Sequence, residues 1–274
     1  GTLHIRHASQ WISTASGTFP SIQFVRQLRQ ALMPNGVLHG TVFRYHNHEN
    51  TVLRSLRKVI AAQSSDRVPD QVDLVAFIDL ITKSTGNEAD DVGEHVGVKP
   101  MVDLHQLVQK GYFSKHMQGS ISLKYVLPAV LKDAPGVALI YSQPGVYGKG
   151  MAIESLNFDH PAGHQWLQAD KGGDPYKTLP PIFAPDHTEL NAMLLKLAGD
   201  ADGEGTIAQG GLAMTAYNFT QFASLTDRER QHIGDSLLRY CELDTLAMVM
   251  VVQGLMELRG MPMLLDNLPI FHHV

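Results

Sequence analysis

At 274 residues, 44% of them apolar, the chain is long enough for one large domain or two small ones with a substantial core. Its formal charge of -5 gives no whole-surface attraction to nucleic acid, although local basic patches coexist readily with an acidic total. The lone cysteine, Cys241, excludes an internal disulfide. No apolar run approaches the roughly 20 residues of a membrane span and no secretory signal opens the chain, so a cytoplasmic protein without a membrane partner is expected.

Charge is uneven along the chain. Residues 1 to 48 hold Arg6, Arg26, Arg29 and Arg44 but no acid, and the first carboxylate is Glu49. The chain starts at Gly1 with no Met before Met33, and it is expected to be a piece of a longer polypeptide. Residues 3 to 14 read as an extended segment that ends at Ser16-Gly17. Helical spacing follows from Ser21, a candidate N-cap, and Pro34-Asn35-Gly36 stops it, which predicts a helix over 21 to 33. The β-rich run from Val37 to Tyr45 predicts a strand. Asn50 to Ala62 returns to the helical period, and Val72 to Ile81 is a second helical stretch before a polar loop at 83 to 91.

Pro100 to Leu104 is a short strand candidate leading into a helix over His105 to Lys110. Another helix begins near Ser120 or Ser122, either of which can cap it. Residues 132 to 222 are richer in Gly, Pro and Asp, with Gly172-Gly173-Asp174-Pro175-Tyr176 and Leu179-Pro180-Pro181, and read as a long excursion with short local elements. Thr226-Asp227-Arg228-Glu229 is a capping box that starts a long final helix with Ile233, Leu237 and Leu238 facing inward. Strands alternating with helices predict a single α/β domain over 1 to 274 with a partly parallel sheet.

Four places carry candidate chemistry. Tyr240 and Asp244 stand four residues apart on the last helix, so a phenol and a carboxylate share one face, which suits holding a metal and orienting a water. Glu49 sits at a strand-to-helix junction, where ligands commonly bind in open α/β sheets; an exposed first-turn acid favoured by the helix dipole is the plainer role. Asp103 ends the second apparent strand and doubles as a candidate helix cap. Lys124, near a helix start, is a candidate phosphate contact, with a solvated helix lysine as the commoner outcome. His46, His48 and Glu49 offer zinc-type ligands, but two histidines separated by one residue face opposite sides of a strand. Neither a phosphate-binding GxxxxGK[ST] loop nor a GxSxG elbow is present, and Cys241 reads as a core cysteine.

The stretches His48 to Leu53, Met101 to Leu104, Gly119 to Pro128 and Leu238 to Met248 together resemble the RNase H-like DEDD exonucleases of the Tyr-x-x-x-Asp branch, matched here by Tyr240 and Asp244. More closely, the chain looks like the bacterial family called domain of unknown function 2779, over roughly residues 40 to 258. That resemblance implies a mixed sheet of about five strands flanked by helices, interrupted by a long insertion before the last helix. It implies two divalent ions, Mg²⁺ or Mn²⁺, that drive 3′-5′ phosphodiester hydrolysis of single-stranded DNA or RNA.

Carried over by position, Glu49 is the second-motif acid, Asp244 the third-motif acid and metal ligand, and Tyr240 the residue that orients the attacking water. Asp103 matches a structural or accessory acid, counted with the metal ligands, and Lys124 and Ser122 are expected to touch substrate. The family pattern also asks for Asp-x-Glu on the first strand, which the acid-free residues 1 to 48 lack. Either that strand lies upstream of Gly1, or the chain is a non-catalytic nucleic-acid-binding or protein-interaction module with an RNase H-like fold.

Overall fold

The computed structural model describes residues 18–38, 40–84, 95–146, 155, 157–158, 164–179, 210–222 and 224–261. The extended segment expected at 3 to 14 and most of the polar loop at 83 to 91 lie outside them. Helix α1 spans Thr18–Leu32, so Ser21 falls inside the helix and not at its cap. Strand β1 is only Phe43–Arg44. The longer β-rich run does not pair because Gly36 and Gly40 take positive φ values of 76° and 81°, which break the extended backbone on either side of Val37 and Leu38.

Helix α2 (His48–Ala61) and helix α3 (Gln71–Ile81) pack with α1 around Ile22, Val25, Leu53, Ile60, Leu74, Phe77, Ile78 and Ile81, all buried. Burial of each such side chain contributes about 1.5–3 kcal/mol. Charge locks this layer from outside: Arg26 grips Asp70 at 2.6 Å, while Arg54 and Arg57 both reach Asp79 Oδ1 at 2.6 Å.

Strand β2 (Val102–Asp103) pairs parallel with β1 in the register Phe43 to Val102 and Arg44 to Asp103, and helix α4 (Leu104–Gly111) follows directly. Among the described residues the sheet is this pair alone. The α/β class stands in that coarse form, mostly helical around two short parallel strands. The expected sheet of about five strands is not formed by the described residues.

A second apolar cluster is built on helix α5 (Leu123–Asp133), helix α6 (Pro135–Tyr141) and the long helix α8 (Asp227–Leu258), with helix α7 (Gly210–Phe222) against α8. The stretch 132 to 222 holds short local elements, as expected: α6 and α7 towards its two ends, and 3-10 turns at Ala169–Lys171 and Pro175–Thr178. The capping box at Thr226 forms as expected, with Thr226 N–H donating to Glu229 Oε2 at 2.7 Å and Glu229 N–H to Thr226 Oγ1 at 3.3 Å. Ile233 and Leu237 are fully buried on α8, whereas Leu238 stays partly exposed beside them.

At its other end α8 clamps α6. Glu257 accepts the otherwise orphaned first-turn N–H groups of Gly136 and Val137, both at 2.9 Å. One turn earlier, Gln253 accepts from the buried Tyr141 hydroxyl at 2.8 Å. No helix among the described residues is long and apolar enough to cross a membrane.

Candidate carboxylate site

Both strands end at the same edge, and the chain leaving each one turns straight into a helix. After Arg44 the backbone runs through Tyr45, His46 and Asn47 into α2, with His46 in the left-handed region at φ 65°. Asp103 stabilises that turn by accepting the His46 N–H at 3.0 Å, and the same Oδ1 caps α4 by accepting His105 N–H at 3.1 Å. Its other oxygen meets Arg44 at 3.1 Å; the guanidinium is buried, and it also donates to Asn47 Oδ1 at 2.8 Å. Asp103 thus has both oxygens engaged in holding the turn.

The turn places Glu49 in the first turn of α2, near enough to Asp244 on α8 to feel its charge. Its Oε1 has a long 3.5 Å contact with the Tyr45 N–H, while Oε2 is buried with no hydrogen-bond partner. Burial is the main reason its carboxyl is pushed up to about 7, and the nearby charge of Asp244 raises it further against the opposing pull of Arg44. Residues 195 positions apart in sequence therefore share one electrostatic environment.

Asp244 lies midway along α8. Desolvation raises its carboxyl, opposed by a 2.8 Å hydrogen bond from the Tyr176 hydroxyl and by the charges of Lys124 and His48. Tyr240, one turn before it and 9% exposed, has its phenol pushed upward by burial and then by the Asp244 charge, so the expected common face is real. Cys241 is partly buried against the second cluster, and burial with the same charge pushes its thiol up to about 12.

A third segment closes the site. The Tyr45 hydroxyl donates to the Ile121 carbonyl at 2.5 Å, tying the end of β1 to the start of α5. Lys124 follows in the first turn of that helix, half-buried, with its charge acting on both Asp244 and Asp174. Ser122 is the α5 N-cap by position, but its exposed side chain makes no cap hydrogen bond.

The structure brings Glu49, Asp244, Tyr240 and Lys124 together and places Asp103 behind them, bound to Arg44. Tyr176 is the participant that sequence reasoning missed. Its only sequence signal was the Gly172 to Tyr176 turn, in which Asp174 accepts the Tyr176 N–H at 3.1 Å. Among the described residues no three His, Cys, Asp or Glu side chains cluster closely enough to hold a metal ion. His46, His48 and Glu49 therefore make no zinc centre: the exposed His46 ring meets the His105 ring edge-on, centroids 5.0 Å apart. The chain matches no family model, no curated protein and no solved structure.

Proposed function

We propose that the site belongs to a metal-dependent nuclease-type domain that hydrolyses phosphodiester bonds of single-stranded DNA or RNA, in the manner of the DEDD exonucleases with a Tyr-x-x-x-Asp motif. One observation carries this reading. Glu49 and Asp244 come together from distant parts of the chain, both with carboxyls raised by desolvation; the Asp244 charge further disfavours ionisation of Glu49, and Glu49 Oε2 has no partner. Two neighbouring carboxyls with raised proton affinity are a feature that functional sites share, which supports this reading.

A divalent ion fits these acids. Mg²⁺ binds through one or two carboxylates while keeping several waters, and the orphaned oxygen of Glu49 beside Asp244 is donor chemistry of that kind. The second ion of a two-metal pair has no ligands in this set, since Asp103 is committed to Arg44, His46 and His105. When bound, the cation supplies charge neutralisation at the scissile phosphate.

The side chains do the rest. Glu49 takes a proton from the attacking water as its oxygen bonds to phosphorus; the bond from phosphorus to the leaving oxygen breaks, and that oxygen takes up a proton from Glu49 or solvent, which restores the carboxylate. The Tyr240 phenol orients that water from the α8 face. Tyr176 holds the Asp244 carboxylate in one rotamer through its hydrogen bond. Lys124 places positive charge where the pentacoordinate phosphorus carries its extra negative charge.

The deciding measurement is release of nucleotides from a labelled single strand in Mn²⁺, compared with the Asp244→Asn and Glu49→Gln variants. Cleavage lost in both variants, each still folded by circular dichroism, is expected. Undiminished cleavage in Asp244→Asn removes the site from the reaction. Absence of cleavage by the unaltered chain, with strand binding retained, supports the non-catalytic nucleic-acid-binding reading instead.

A further inference from the structure

A groove of about 730 Å³ opens beside the carboxylate site, between one face of α5 with α6 and the segment 164–178. Lys124, Lys132 and Lys177 line it with His116, and among the described residues Asp174 is the one carboxylate in its walls. Such a concentration of positive charge is local, since the whole chain is at -5. All three lysines act electrostatically on Asp174, which places them around one centre. His116 stands at the far end, 4.0 Å from Asp133, which also accepts the Tyr112 hydroxyl.

Lys124, Pro128 and Lys132 recur every four residues, so they form one stripe along α5, with the two ammonium groups' Cα atoms about 12 Å apart along the axis. Between the charges the wall is apolar. Tyr125 is 41% exposed there and Leu139 is 65% exposed, a large outlay of ordered apolar surface facing a charged rim.

We propose that this groove is the track of a single-stranded nucleic acid: Lys132, Lys177 and His116 bind its phosphates, Tyr125 stacks a base, and Lys124 hands the strand to Asp244. Alternating cationic and aromatic contacts match a backbone that presents a phosphate and an unpaired base face in every nucleotide. A duplex buries those faces and leaves Tyr125 and Leu139 without a counterpart. The proposal deepens the phosphodiesterase reading and rests on it for the direction of the strand, while binding itself is a separate property of the groove.

The test uses fluorescence anisotropy of short labelled oligothymidylate and oligouridylate with the full chain in EDTA, across a salt series. The paired variant Lys132→Glu with Lys177→Glu is expected to weaken both strands by roughly tenfold or more and to flatten the slope of log affinity against log salt by about 1.4. Tyr125→Ala is expected to weaken binding about tenfold with the salt slope unchanged. Lys124 is left intact, because its charge also acts on Asp244.

Equal affinity and equal slope in the folded double variant overturn the groove, as does tighter binding of an acidic peptide than of either strand. Binding that depends on these lysines without any Mn²⁺-dependent cleavage upholds the groove and sinks the hydrolase. Cleavage that ignores the double variant does the reverse.

Discussion

The Tyr176 hydroxyl donates a 2.8 Å hydrogen bond to Oδ1 of Asp244, joining a 3-10 turn of the central segment to the middle of the longest helix. Tyr176 is buried, so this donor is fixed, and it is one of three influences that keep Asp244 ionisable despite its desolvation.

Tyr176→Phe keeps the ring and removes the donor. The bond favours the charged form of Asp244, so its contribution is present where Asp244 is ionised and shrinks as acid protonates it. Stability should fall by about 1–3 kcal/mol near neutral pH and by less in acid. Urea midpoints at two pH values read this directly, and an equal loss at both would mean that the hydroxyl does not serve the carboxylate.

Glu49 sets the pH dependence. Its folded carboxyl is raised from an ordinary 4.5 to about 7, so the folded state holds a proton that the unfolded chain has released. The stability it confers is full below about pH 4.5 and drains as pH rises through about 7. Glu49→Gln should therefore gain about 2 kcal/mol relative to the unaltered chain on going from about pH 5 to about pH 8, from the 1.36 kcal/mol per pH unit of linkage. Millimolar Mg²⁺ should recover that stability at about pH 8 in the unaltered chain and not in the variant. A flat difference between the two proteins across pH would place Glu49 in water.

Much of the helical framework was legible in the sequence, because α1, α2, α3 and α8 carry apolar residues at helical spacing and Thr226 to Glu229 is a local signal that needs no tertiary partner. The strands were legible only as places. Pairing is a long-range event, and the positive φ of Gly36 and Gly40 cut β1 to two residues in a way that residue composition does not announce. Tyr240 and Asp244 shared a face by helix geometry alone, whereas the approach of Glu49 to Asp244 depends on how two separate apolar clusters meet. Tyr176 was invisible for the same reason: nothing local says which way a turn aims its tyrosine.

Asp103 separates a positioning role from a metal-binding one. Asparagine there still offers an acceptor to His105 N–H, but it leaves the buried Arg44 guanidinium without its counter-ion. Loss of one partner of a buried pair costs about 3–5 kcal/mol. Asp103→Asn should show that loss equally in EDTA and in Mg²⁺ by thermal unfolding. A deficit that appears only with the metal present would return Asp103 to the ligand set.

Gly254 of α8 packs directly against α5, and a Cβ there would run into Val130 Cγ1. Alanine is the better helix former by about 1 kcal/mol, yet overpacking a tight crossing costs about 1–3 kcal/mol, so the clash should win. Gly254→Ala is expected to lower the denaturation midpoint, and adding Val130→Ala should give a coupling of about 1 kcal/mol in favour of the double variant. Because Lys124 rides on α5 and Asp244 on α8, a forced separation also moves the cation away from the carboxylate. Cleavage by Gly254→Ala should then fall further than its stability alone predicts, and Val130→Ala should restore part of it. Full activity in a destabilised Gly254→Ala would show that the crossing does not set the site.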